Sequence, residues 1–285
     1  MALIPPFFLD CVVAIGFATN DEVRYVATGF LVGHLVENAP EIKNRKYRVY
    51  LVTNRHVFKG RNIAKLRFNP SANLPAKVYD LPLVDAEGKL QWQGHPDENV
   101  DVVVQPINVE FLRNEEIQFH FFSSDLHILP LSKAGSEGLS EGDSVFILGF
   151  PLGEVGKERN YVIVRQGVIA RVRDALASFS QDFLIDGSIF PGNSGGPVIT
   201  RPEAIGIEGT KTLNRAWLIG VVSGYVPYQD VAISTQTNRP RVIFEENSGM
   251  AAVIPIDKAL EAIAVVETKF VSVPATVKGE ATAPG

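Results

Sequence analysis

The chain has 285 residues, a formal net charge of −5, 46% hydrophobic and 21% charged residues. That balance is ordinary for a globular protein with a sizeable core, and it excludes the global basic field of a nucleic-acid binder. A single cysteine, Cys11, excludes an intrachain disulfide and with it a disulfide-stapled secreted scaffold.

The N-terminal "MALIPPFFLD" has no basic start and two prolines, so it does not read as a signal peptide. No apolar run reaches the roughly 18 residues of a membrane span. A cytoplasmic location without membrane contact is the resulting expectation. Short β-branched and aromatic runs then succeed one another, broken by turn residues. They are "CVVAIGFA", "RYVATGFLVG", "YRVYLVTN", "VDVVVQPI", "DSVFILGFP", "YVIVRQGVIARV", "FLIDGSIF", "GPVIT", "AWLIGVVSGY" and "GMAAVIPI". Cys11, in the first run, reads as a small core residue. The basic "KNRKYR" at 43–48 reads as a loop, and "SKAGSEGLSEGD" at 132–143 as a linker between two β subdomains. Helical periodicity appears only in "DKALEAIAVVETKF" at 257–270, with Asp257 as its cap and Leu260, Ile263 and Val266 on its apolar face. The tail 271–285 is small and polar and is expected to be disordered. The number of strands suits a two-barrel or sandwich protein.

One turn calls for chemistry. In "IFPGNSGGPVIT", residues 189–200, Ser194 has Gly192 before it and Gly195 and Gly196 after it. "GNSGG" satisfies the G-x-S-x-G pattern of α/β-hydrolases, which sets a serine on a strand-to-helix turn. Two features reject that fold. "PVIT" after the turn favours a strand, and all five histidines precede the serine. The order histidine, aspartate, serine is the other arrangement that activates a serine. His56 follows the strand-like "VYLVTN", and Asp101 precedes Val102, Val103 and Val104; Asp97 is a second carboxylate in the same loop. An imidazole with a pKa near roughly 6.5 can take the serine proton and return it to a leaving amine. A carboxylate would orient that imidazole. The amides of Gly192 and Ser194, with Asn193 between them, could converge on a developing oxyanion. The spacing of His120 and His127 matches no zinc site, and no metal or other cofactor is expected.

"TGFLVG", "LVTNRHV", "DVVV", "VRQGVIARV", "FLIDGSIFPGNSGGPVI", "LIGVVSGY" and "GMAAVIPI" occur in the order seen in chymotrypsin-like serine proteases. Over roughly residues 10 to 265 the chain most resembles their disulfide-free bacterial HtrA-type branch, without the PDZ domain or anchor usual there. The resemblance implies an all-β fold of two six-stranded antiparallel barrels, one over about 10–130 and one over about 140–256, with a terminal helix at 257–270. The catalytic residues would be His56, Asp101 and Ser194, and the oxyanion hole Gly192, Asn193 and Ser194. The specificity pocket would have Ser188 at its base, Ile189 and Ser223-Gly224-Tyr225 in its walls, and Ala251 nearby. None is acidic, which implies cleavage after small or medium apolar residues. Segment 111–131 has no counterpart in the resemblance. The implied activity is a serine endopeptidase acting on polypeptides; a peptide-binding or chaperone module with little turnover and an esterase are the alternatives. Asn193 stands where trypsin-like zymogens carry the aspartate that binds a new N-terminus, so activation without N-terminal cleavage is expected. The oxyanion turn would then be held by loop packing, with 152–160 and 225–247 as candidates, or be ordered by substrate or a partner. Neither a nucleic-acid partner nor an oligomeric state is indicated.

Overall fold

The computed structural model describes residues 4–20, 22–203, 208–209, 211–271 and 281–282. Runs that look uniformly apolar in the sequence separate into two sets once the strands pair. In β1 (Val12–Thr19), Val12 and Ala14 enter one core while Val13 and Ile15 enter another. β2 (Glu22–Glu37) divides in the same way, Phe30 and Val32 against Ala27 and Leu31, and β3 (Lys46–Thr53) sends Tyr50 and Val52 one way and Val49 and Leu51 the other. Successive side chains of a strand point to opposite faces, so a strand covered on both faces has no polar side to show.

β1 to β3 are the middle of an N-terminal sheet. Its remaining strands are β4 (Ile63–Pro70), β5 (Lys77–Pro82), β6 (Gln93–Gly94) and β7 (Val103–Pro106), in the antiparallel order β5-β4-β1-β2-β3-β7-β6. A first closed barrel was the expectation; among the described residues no ladder joins β5 to β6. The connection from β5 to β6 carries an isolated bridge between Val84 and Leu90, and Gln105 of β7 donates its side-chain amide to the Pro82 carbonyl of β5 at 2.8 Å. Within that connection the Asp85 carboxylate accepts the amides of Glu87 (3.1 Å) and Lys89 (2.8 Å), which turns the chain tightly where a ladder would run. Segment 111–131 closes over this sheet. It runs from within α2 (Val109–Asn114) and contains β8 (Ile117–Gln118), which pairs with β4, and β9 (Phe122–Ser123), which runs parallel to β2.

The C-terminal unit is a closed six-stranded barrel. Its strands are β10 (Ser144–Gly149), β11 (Ile163–Arg171), β12 (Phe183–Asp186), β13 (Pro197–Thr200), β14 (Leu218–Ile233) and β15 (Pro240–Pro255), in the order β10-β11-β12-β15-β14-β13. Val145, Ile147, Ile185, Val198 and Val253 fill its interior. Alternate residues, Phe146, Leu148, Ile199 and Leu218, turn outward and merge with Phe30, Tyr50 and Val52 of the N-terminal sheet into one shared core. Fully buried Cys11 belongs to it, with its thiol pushed up by burial.

Several expectations change in detail. Part of the supposed linker is α3 (Leu131–Glu137), ended by Gly138 at φ 99°, a left-handed stop natural to glycine. The terminal helix α5 runs Ile256–Val271, and Asp257 lies inside it; its carboxylate accepts the Leu131 amide at 2.9 Å. The face with Leu260, Ile263 and Val266 packs on the shared core as expected. Residues 225–247 are the outer part of the β14–β15 ribbon, which leaves Tyr228, Val231, Ile233, Ile243 and Phe244 exposed. Of the tail expected to be disordered, 272–280 and 283–285 lie outside the described residues; Ala281–Thr282 (β16) pairs with β3. No described helix is long and apolar enough to cross a membrane.

The covering segment contains a titratable joint. His127 packs against Phe7 and Phe8, and its Nδ1 accepts the Ser123 amide at 2.9 Å. Burial, aided by Arg215, lowers its pKa to about 4. Below roughly pH 6.5 the unfolded chain takes up a proton that the folded chain refuses. Stability present at neutral pH is therefore lost as the pH falls from 6.5 to 4, by on the order of 3 kcal/mol. His127→Asn keeps an acceptor for Ser123 without the titration. Urea melts of both proteins between pH 7.5 and 4 should show a steeper decline for the wild type.

Candidate active site

β3 ends in Thr53, and the chain turns through buried Asn54 into the short α1 (Arg55–Phe58), which carries His56 on its first turn. Asp101 lies just before β7, between Val100 and Val102, whose side chains are in the shared core. That anchoring fixes the Asp101 backbone, and its carbonyl accepts the Asn54 side-chain amide at 2.8 Å. The Asp101 carboxylate then meets His56 twice. Oδ1 accepts the His56 backbone amide at 2.9 Å, and Oδ2 lies 2.6 Å from Nδ1. A carboxylate only accepts, so Nδ1 is the donor in this contact, and the tautomer it selects keeps its lone pair on Nε2. The imidazole is about half exposed, at 53% of its side chain. Asp97 is turned elsewhere: its Oδ1 accepts the backbone and side-chain amides of Asn99.

Ser194 sits on the turn between β12 and β13, which leans on the N-terminal sheet. Thr28 of β2 donates its amide to the Ser194 carbonyl at 2.9 Å, and the Thr53 hydroxyl donates to the Thr28 carbonyl at 2.8 Å. The serine turn thus lies against the strand end that leads to His56. Gly195, at φ 81°, allows this approach: a Cβ there would stand 2.2 Å from both the Thr28 carbonyl and the Thr53 hydroxyl.

Each peptide plane of the turn is held by a named partner. The Pro191 carbonyl accepts the Leu152 amide at 2.6 Å, and the Gly192 carbonyl accepts the Thr28 hydroxyl at 2.6 Å. In a trans peptide C=O and N–H point in opposite directions. The Gly192 amide is therefore directed away from Leu152. The Asn193 amide is committed to the Phe190 carbonyl at 3.0 Å, which leaves the amides of Gly192 and Ser194 as the two candidate donors of the expected trio. Gly192, at φ 101°, could carry no side chain, since its Cβ would meet the Phe150 carbonyl at 2.3 Å.

The residues expected to form the pocket are divided. Ser188 is exposed, whereas Ile189 and Ala251 are buried in the barrel interior. Ser223, Gly224 and Tyr225 are half-buried on β14, with Tyr225 opposite Ala251 and its hydroxyl donating to Glu245 at 2.7 Å. Sequence reasoning missed Thr28; it offered 152–160 as a candidate support for the turn, and the Leu152 amide on the Pro191 carbonyl is the contact that this loop makes there. Thr28 is one residue of a strand-like run, and nothing in that run says that its hydroxyl faces a turn 164 residues away.

Residues 27–207 match the trypsin-like peptidase domain family. Two curated relatives are both called "Serine protease HtrA-like", from Staphylococcus aureus. One, from strain bovine RF122 / ET3-1, is 28% identical over 57% of this chain and 18% of its own length; the other, from strain MRSA252, is 26% identical over 78% of this chain and 22% of its own. The chain spans about a fifth of the length of these relatives. A solved structure, the MamO protease domain from Magnetospirillum magneticum in its apo form, is 15% identical with a TM-score of 0.45, over 90% of this chain and 96% of that one.

Asn193 gives a test of the site's electrostatics. It is fully buried; its Oδ1 accepts the Phe190 amide at 3.2 Å, and its Nδ2 has no partner. Asn193→Asp would bury a carboxylate without a cation, at a cost of about 3 kcal/mol or more at neutral pH. Its folded pKa would rise, so the lost stability should return as the pH falls toward that raised value. Denaturant midpoints at pH 7.5 and 5 should show a gap from wild type that narrows at the lower pH.

Proposed function

Because the chain belongs to the trypsin-like peptidase domain family, we propose that it is a serine endopeptidase in which His56, Asp101 and Ser194 form the catalytic triad. The observation that carries this reading is the 2.6 Å contact between His56 Nδ1 and Asp101 Oδ2, on the same sheet that grips the serine turn through Thr28. In this reading Ser194 Oγ attacks the scissile carbonyl while His56 Nε2 takes its proton. The Gly192 and Ser194 amides stabilise the oxyanion, a contribution of about 3 kcal/mol per donor. His56 returns the proton to the leaving amine, an acyl ester remains on Ser194, and water activated by the same imidazole releases it.

The unprimed side of a polypeptide substrate would pair with β14 at Ser223–Tyr225 as an added strand. Ser188, Ile189 and Ala251 offer no carboxylate to offset a buried Lys or Arg. Cleavage after Val, Ala or Leu follows, and a peptide-library digest read by mass spectrometry should show it; cuts mainly after Lys or Arg would contradict the pocket.

A fluorophosphonate probe tests the chemistry. Ser194 should take up the label in the wild type, and Ser194→Ala and His56→Ala should each abolish cleavage of a denatured protein while keeping the fold. Members of a triad act as a unit, so the double variant should be scarcely worse than either single one. Clearly additive losses, or cleavage persisting in Ser194→Ala, would sink the assignment.

A further inference from the structure

Leu152 has φ 59° and ψ 14°, left-handed values that a side chain makes costly. Leu152 gains nothing by packing in return, since it is 68% exposed. Its backbone, however, is enclosed on all sides. Just before it, the Phe150 amide donates to the Thr28 hydroxyl at 3.0 Å. Just after it, Gly153 donates to the Phe150 carbonyl at 3.1 Å and lies so close to the Tyr25 carbonyl that a Cβ there would stand 2.6 Å away. Farther on, the guanidinium of buried Arg67 in β4 holds the carbonyls of Val155 (3.1 Å), Gly156 (3.0 Å) and Lys157 (3.3 Å). What this costly conformation achieves is the direction of one amide, Leu152 N–H to the Pro191 carbonyl.

We propose that Leu152 is a positioning residue of the oxyanion hole: its left-handed backbone holds the Pro191 carbonyl out of the hole and thereby holds the Gly192 amide in it. The inference rests on the serine-peptidase reading above and adds to it the element that replaces an activating ion pair. When Leu152 leaves the left-handed region its amide swings away from Pro191. The 191–192 peptide is then free to rotate, and the carbonyl turns to where an oxyanion would be. The Thr28 hydroxyl holds only the next peptide, 192–193, and cannot prevent this rotation.

The exposed side chain makes the test clean, because substitution removes little packing. Four variants alter the backbone preference: Leu152→Gly and Leu152→Asn tolerate the left-handed region, Leu152→Val resists it, and Leu152→Pro excludes it and deletes the amide. With a peptide amide substrate, Gly and Asn should keep or raise kcat. Val should lower kcat about fivefold, and Pro about a hundredfold, the loss typical of one oxyanion donor. KM should stay nearly constant, and affinity for a peptide boronic acid, which places a tetrahedral oxygen in the hole, should follow kcat. Thermal melting separates this from loss of fold, and Val serves if Pro does not fold. Val retaining wild-type kcat, or kcat falling only in step with melting temperature, overturns the role of Leu152. A wild type that neither labels at Ser194 nor cleaves peptides overturns the peptidase reading instead.

Discussion

The Thr28 side chain carries the constraint on which the site depends. One hydroxyl accepts the Phe150 amide and donates to the Gly192 carbonyl, while the amide of the same residue holds the Ser194 carbonyl. Thr28 is fully buried, so none of these groups has water as an alternative partner. A buried polar group left unpaired costs about 1–3 kcal/mol, and removing this one hydroxyl would strand two such groups. Through it, β2 of the N-terminal sheet sets the shape of two turns of the C-terminal barrel.

Such a hydrogen-bonded joint needs two units that do not slide. The shared core supplies that rigidity, since alternate residues of strands from both units interdigitate in it. α5 adds a strap across the units. It leaves the barrel after β15, and its Glu261 takes His95 Nε2 at 2.6 Å, in the loop that leads to Asp101. Six residues further along the strap, Glu267 accepts the Tyr50 hydroxyl at 2.6 Å and pairs with Arg48, both on β3, the strand that leads to His56. Both approaches to the proposed triad are therefore tied to the same helix.

Family and fold leave the regulation of this chain open to its own loops. The relatives called HtrA-like are about five times longer than the stretch they share with it, so what their other parts do does not carry over. Within this chain, the neutral Asn193 removes the zymogen-type ion pair from consideration. The segment proposed to take its place is built from backbone: Leu152, Gly153 and the carbonyls gathered by Arg67. A turn held by amides and carbonyls tolerates varied side chains, which is why it leaves almost no mark on the sequence.

The sequence by itself determined the succession of short strands, the serine turn with its glycines, and the order His56, Asp101, Ser194. Each is written in neighbouring residues: β-branched runs favour strands, and glycine alone fits the positive φ and close approaches at 192 and 195. It favoured Asp101, at the start of the strand-like Val102–Val104, over Asp97 in the same loop, without showing how either carboxylate is directed. Tertiary structure decided for Asp101 because the core grips Val100 and Val102 and so aims the residue between them at His56. It also decided that the connection from β5 to β6 carries an isolated bridge in place of a ladder, that 225–247 is an outer ribbon, and that Asp257 serves the Leu131 amide. Those outcomes depend on contacts between residues far apart in the chain, and local propensity carries no information about a partner that only folding brings near.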